Sequence, residues 1–159
     1  MSDFESLPYR PCAGIMLVNQ RGLVFVGQRI DSRAGEAWQM PQGGIDDGEE
    51  PQVAALRELK EETGISADLV DVIAQSKDEY YYDLPPELLG KLWQGKWCGQ
   101  RQWWFLMRFK GSDSDINIGT KYAEFSDWKW EAVSMLPEEI VSFKKKLYER
   151  VVDEFLELI

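Results

Sequence analysis

Residues 43–65, GGIDDGEEPQVAALRELKEETGI, constrain the fold more than any other part of the chain. Asp46-Asp47-Gly48 is turn chemistry, and Pro51 suits the first turn of a helix, where acidic residues are also favoured. Gly64 supplies the left-handed residue that ends one. The spacing predicts a helix between them with Glu58, Glu61 and Glu62 at i, i+3 and i+4, so that three carboxylates share one face. Leu56 and Leu59, with Val53 and Ala55 at the margins, form the opposite, buried face. Ala54 lies among the acids and keeps their face low enough for a bulky ligand to approach. Like charges about 5 Å apart repel by roughly 3 kcal/mol per pair at an effective dielectric near 20. A divalent cation reverses that penalty, and oxygen-only ligands select a hard one. An acidic run is more often a solvated helix face, but here the acids sit inside a fixed frame of Gly43, Glu49, Arg57 and Gly64.

Composition bounds the rest. A chain of 159 residues, 44% hydrophobic and 13% aromatic, can bury one core and is expected to form one domain, 1–159. Cys12 and Cys98 offer neither a disulfide framework nor metal-ligand spacing. No apolar run approaches the ~20 residues of a membrane span, and no basic-then-apolar leader opens the sequence. A cytoplasmic protein is therefore expected, without repeats or low-complexity segments.

Hydrophobic periodicity places the elements. Ala13–Val18 and Leu23–Arg29 read as strands joined by a turn at Asn19–Gly22, and Ile30–Gln42 reads as a loop. Beyond the acidic helix, Leu69–Ser76, Gln102–Phe109 and Trp128–Val133 read as further strands. Tyr80–Lys96, with Pro85-Pro86 and Gly90, reads as a long excursion near the site. From Pro137 onward, Ile140, Phe143, Leu147, Val151, Phe155 and Leu158 recur at three- or four-residue spacing, predicting one long amphipathic helix. The order gives an α/β sandwich with a mixed sheet.

The spaced pattern G-x5-E-x7-R-E-U-x-E-E-x-G-U, with U aliphatic, would occur by chance with probability on the order of 10⁻⁷. It resembles the Nudix hydrolase signature at every fixed position. Tyr9-Arg10-Pro11, Trp38–Gly44, Gly99–Phe105, Glu124-Phe125, Trp128–Trp130 and Ser142–Lys144 extend the likeness along nearly the whole chain. They resemble one branch, that of bacterial RNA pyrophosphohydrolases and asymmetric dinucleoside tetraphosphate hydrolases. The resemblance implies an α/β/α Nudix sandwich and a catalytic role for Glu58 and Glu124. Glu58, Glu61, Glu62 and Glu124 would hold Mg²⁺ or Mn²⁺, two or more ions. Glu49 and Arg57 would brace the loop against the helix, with Gly43 and Gly64 as its structural ends. Arg10 and Arg29 would clamp phosphates, while Tyr82, Phe143 and Lys144 would hold a base. The implied substrate is 5′-triphosphorylated RNA or a dinucleoside polyphosphate, with neither DNA nor a membrane as partner.

Several signals cut across that picture. The chain has no histidine, so a carboxylate must serve as general base. Its net charge of −10 is a poor global field for a polyanion, so capture must be local. Glu124 also reads as an acidic loop residue, Phe143 as a core residue, and Lys144–Lys146 as a solvated basic turn. Asp113, Asp115, Asn117 and Glu124 mimic a calcium loop, but Ile118 stands where its glycine belongs. The 32–37 loop, Tyr82–Pro86 and Leu92–Trp97 resemble the tetraphosphate enzymes, and the chain ends without the basic tail of some RNA enzymes. A non-catalytic nucleotide-binding module would be expected to lose acids from the pattern, and none is missing.

Overall fold

In the computed structural model, residues 7–30 and 37–159 are described. Eight strands form one sheet: β1 (Tyr9–Val18), β2 (Val24–Arg29), β3 (Trp38–Gln39), β4 (Gln42–Gly44), β5 (Val70–Gln75), β6 (Tyr80–Asp83), β7 (Gly99–Phe109) and β8 (Phe125–Glu131). The main path runs β3-β2-β1-β7-β5, with β4 paired to β1, β6 to β7 and β8 to β2. Among the described residues only β1 and β7 run parallel, and every other pair is antiparallel. The sheet is mixed, as expected.

Alternation along β1 makes the two layers. Ala13, Ile15 and Leu17 point to one side and pack with Ala54, Ala55 and Leu59 of helix α1 (Pro51–Thr63). Met16 and Val18 point to the other, against Leu147, Val151 and Phe155 of helix α3 (Lys145–Phe155). This two-sided burial is what a central strand with period-2 side chains produces. No helix among the described residues is long and apolar enough to cross a membrane.

The structure corrects several expectations. Within the segment expected as a loop, Trp38–Gln39 pairs with a neighbouring strand, and a second short strand, Gln42–Gly44, begins at its last residue; its residues 31–36 lie outside the described part. The Tyr80–Lys96 excursion begins as strand β6, on which Tyr80 and Tyr82 point inward and Tyr81 outward. Val53 is 54% exposed, and Ala54 is fully buried in the core rather than open to a ligand. The C-terminal helix is broken. A short helix α2 (Leu136–Glu139) is followed by extended Ile140 and Val141, a 3-10 turn at Ser142–Lys144, and then α3. The break buries Ile140 in the core with Leu147 and Val151. Leu158 lies on a terminal 3-10 turn and is exposed.

Glycine permits a close core contact. A Cβ at Gly14 would sit 2.6 Å from the Trp104 ring, which is buried, donates from Nε1 to Gln102 and packs edge-on against Tyr148. The ring has nowhere to move. Gly14→Ala should therefore cost about 2 kcal/mol, lowering Tm by roughly 5 °C in thermal unfolding; an unchanged Tm would contradict this packing.

Candidate active site

Helix α1 begins with Pro51 at its first turn and ends at Gly64, whose φ of 74° and N–H bond to the Lys60 carbonyl close it. Its acidic face is pressed against strand β4, which β1 holds in register Ala13↔Gly43 and Cys12↔Gly44. That closeness explains both glycines. A Cβ on Gly43 would lie 2.1 Å from the Glu58 carboxyl carbon, and one on Gly44 would lie 2.7 Å from an Arg10 guanidinium nitrogen. Two adjacent glycines thus let opposite charges approach one strand.

Arg57 ties the loop to the helix. Its Nε and Nη2 donate to the Glu49 carboxylate at 2.9 and 2.8 Å, and Nη2 also donates to the Gly44 carbonyl at 2.9 Å. Nη1 donates to Glu58 at 2.9 Å and to Glu61 at 3.3 Å. Glu49 in turn accepts the Asp46 N–H at 3.0 Å. The guanidinium holds the Glu49 carboxyl down to about 2. A forked, charge-assisted contact of this kind fixes geometry as well as energy.

One cavity of about 470 Å³ gathers the charged groups: Glu58, Glu61, Glu62 and Glu124 on the acidic side, Arg10, Arg29, Lys121 and Lys144 on the basic side. Glu62 is 2% exposed, and its Oε2 is buried without a hydrogen-bond partner. Burial pushes its carboxyl well up, and Glu58 and Glu124 add to the effect. Burial likewise raises Glu58 to about 7, against the opposing pull of Arg57. An orphaned buried carboxylate oxygen beside like charges fits a hard divalent cation. Among the described residues the acids do not converge as a ready-made cage, because Arg57 draws Glu58 and Glu61 toward itself.

Strand β2 supplies Arg29 at a register shift between Gln28 and Arg29 opposite Phe125. Bulges re-aim side chains, and here Arg29 reaches Glu124 at 3.7 Å while the Ile30 N–H bonds the Glu124 carbonyl. Lys144 enters from the other layer, on the 3-10 turn before α3. Burial and the nearby charge of Arg29 lower it to about 8.

Of the base-holding residues, Lys144 lines the cavity, whereas Tyr82 and Phe143 do not. Tyr82 is 6% exposed and tilted against Phe143 at 5.9 Å, with Lys144 Nζ 5.3 Å from its ring. Both rings pack in or against the core behind the lysine. The calcium-like stretch does other work: Asp113 accepts from Trp130 Nε1, and the Asn117 N–H bonds the Thr63 carbonyl. Residues not singled out in the sequence also line the cavity, notably Gln42, Gln100 and Tyr122. Gln100 ends a buried chain of hydrogen bonds from Trp104 through Gln102. Its place in Gly99–Phe105 was the signal that could have found it.

The NUDIX domain family matches residues 8–151. The RNA pyrophosphohydrolase of Novosphingobium aromaticivorans is 60% identical, with all of both chains covered. That of Sphingopyxis alaskensis is 58% identical over all of both chains. That of Cereibacter sphaeroides is 58% identical over 96% of this chain and 94% of its own. Among solved structures, the Escherichia coli dihydroneopterin triphosphate pyrophosphohydrolase superposes with TM-score 0.70 at 20% identity, covering 91% of this chain and 97% of its own. The C. elegans Ap4A hydrolase binary complex gives 0.63 at 18%, covering 93% and 99%. At such identities the structures speak for the fold alone. Fold, signature and full-length relatives agree, and the chain belongs to the Nudix family.

Proposed function

We propose that this protein removes pyrophosphate from the 5′ end of triphosphorylated RNA by water attack on phosphorus. The observation that carries the reading is the single cavity in which four carboxylates face Arg10, Arg29 and Lys144. It is supported by full-length relatives, named RNA pyrophosphohydrolase, that are more than half identical to this chain. Asymmetric cleavage of a dinucleoside tetraphosphate to ATP and AMP is the second reading, favoured by Tyr82–Pro86 and Leu92–Trp97 in the sequence.

Glu58, Glu61, Glu62 and Glu124 would hold Mg²⁺ or Mn²⁺, two or more ions, which when bound supply an acidified water and neutralise phosphate charge. Arg10 and Arg29 bind phosphate oxygens through their planar forks, and Lys144 adds a point charge. Their attraction is local and works despite the net negative chain. Glu124, half-exposed and separate from α1, accepts the proton of the attacking water, a role no histidine can fill here. Glu58, whose carboxyl is already raised to about 7, is the second carboxylate able to carry a proton in the site. The new oxygen–phosphorus bond forms as the anhydride bond to the pyrophosphate breaks.

With Mg²⁺ present, 5′-triphosphorylated RNA should be cleaved faster than diadenosine tetraphosphate, and Glu61→Gln should abolish both activities. Faster cleavage of the dinucleotide would install the second reading. No turnover above the Glu61→Gln rate would return a binding module. Glu124→Gln should stay folded by circular dichroism and lose activity by at least about a hundredfold; near-normal turnover would remove it from the chemistry.

Burial also sets a pH dependence. A carboxyl raised from 4.5 to about 7 stabilises the fold while protonated, fully below about 4.5, and that contribution is lost as pH rises through 7. Glu62 acts in the same direction. In EDTA the protein should lose roughly 3 kcal/mol across this window, and added Mg²⁺ should restore it. A Tm unaffected by Mg²⁺ at neutral pH would contradict the metal assignment.

A further inference from the structure

Beside the charged cavity lies a second one of about 400 Å³ that shares Glu61, Lys121 and Tyr122 with it. Its remaining walls are Arg57, Lys60, Gly64 and Thr120, so it runs from the reacting centre toward the C-terminal end of α1. Most large aromatic side chains of the described residues are buried or half-buried; Tyr81 and Tyr122 are the exposed ones. Tyr81 is engaged edge-on by Tyr9. Tyr122 is 54% exposed at the junction of the two cavities, with Lys121 Nζ 5.5 Å from its ring centroid.

The ring sits on a fixed ledge. The Asn117 N–H bonds the Thr63 carbonyl at 2.7 Å, and the Thr120 hydroxyl donates to the Glu61 carbonyl. The Ala123 N–H closes a turn on the Thr120 carbonyl, and the Glu124 carbonyl accepts from Ile30. Helix α1 and strand β2 therefore pin both ends of the segment that carries Tyr122. Charge agrees with a polyanionic occupant. Lys60 and Lys121 are exposed and in no ion pair among the described residues, in a chain of net charge −10. The acid on this wall, Glu61, is turned toward Arg57.

We propose that Tyr122 and Lys121 form a stacking subsite for a downstream nucleotide of the RNA, the ring receiving a base and Lys121 and Lys60 the adjoining phosphates. This rests on the reading of the protein as an RNA 5′ pyrophosphohydrolase and adds a reason for preferring a strand to a compact dinucleotide. An exposed aromatic face takes any base, while cations along the groove track the backbone. The strand leaves the charged cavity where the two cavities meet. The subsite discriminates by strand length rather than by base identity.

The test is a cycle between protein and substrate. Wild type, Tyr122→Ala and Tyr122→Phe are assayed for kcat/KM on a 5′-triphosphorylated tetraribonucleotide and on versions made abasic at position 2, 3 or 4. Binding of the 5′-monophosphorylated tetramer, which is not turned over, is measured in parallel. Wild type should lose roughly tenfold at one abasic position, Tyr122→Ala should lose that sensitivity and bind the tetramer about tenfold more weakly, and Tyr122→Phe should keep both. Lys121→Ser should flatten the salt dependence of tetramer binding by about 0.7 in log–log slope. Equal losses by Tyr122→Ala on intact and abasic RNA would show a merely structural residue and overturn the subsite. So would an effect confined to diadenosine tetraphosphate. Wild type inert on the intact tetramer would overturn the parent reading and the subsite together, whereas an active wild type indifferent to every abasic position would overturn the subsite alone.

Discussion

The structure depends on the Arg57 guanidinium. It bonds Glu49, the Gly44 carbonyl, Glu58 and Glu61 at once, and so joins the turn before α1, the strand beside it and the acidic face of the helix. Without that cation, Glu58, Glu61 and Glu62 would face one another on the wall of one cavity. Like-charge repulsion in such a place is worth several kcal/mol. The same fork holds Glu58 and Glu61 on itself at the wall of the cavity. It is a brace whose value lies in the groups it leaves available.

Everything else in the site is aimed by a local irregularity of the fold. The Gly43-Gly44 pair lets a carboxylate and a guanidinium approach the same strand from different elements. The shift between Gln28 and Arg29 brings Arg29 toward Glu124. The helix break at Ile140–Val141 delivers Lys144 to the cavity from the opposite layer. A regular sheet and an unbroken helix would have buried these charges or left them on unrelated surfaces. Loss of regularity converts a two-layered core into a cleft of mixed charge.

Much of this was legible in the residues. The helix between Pro51 and Gly64 and its three acids follow from spacing and cap chemistry, because local sequence determines them, whereas the Glu49–Arg57 brace was implied by the family resemblance. Tyr82 was misjudged as open to a base, since three consecutive tyrosines do not reveal which of them a strand will turn inward. Val53 and Ala54 exchanged expectations because the packed stripe of α1 runs through Ala54, Ala55 and Leu59, which leaves Val53 outward. Strands β3 and β4 were invisible because two or three residues paired across the sheet carry no period. Tyr122 gave no signal either. Its exposure comes from the way residues 117–124 are pinned to α1, a tertiary fact.

The buried acids of α1, with Glu124, are proposed to form a divalent-cation site at the reacting centre. Crystals grown with Mn²⁺ and measured at the manganese absorption edge test it most directly. Such a site predicts anomalous peaks within bonding distance of Glu62 and at least one of Glu58, Glu61 and Glu124, with the otherwise orphaned Glu62 Oε2 as a ligand. Peaks confined to surface carboxylates, or a Glu62 carboxylate left unligated at saturating Mn²⁺, would contradict it.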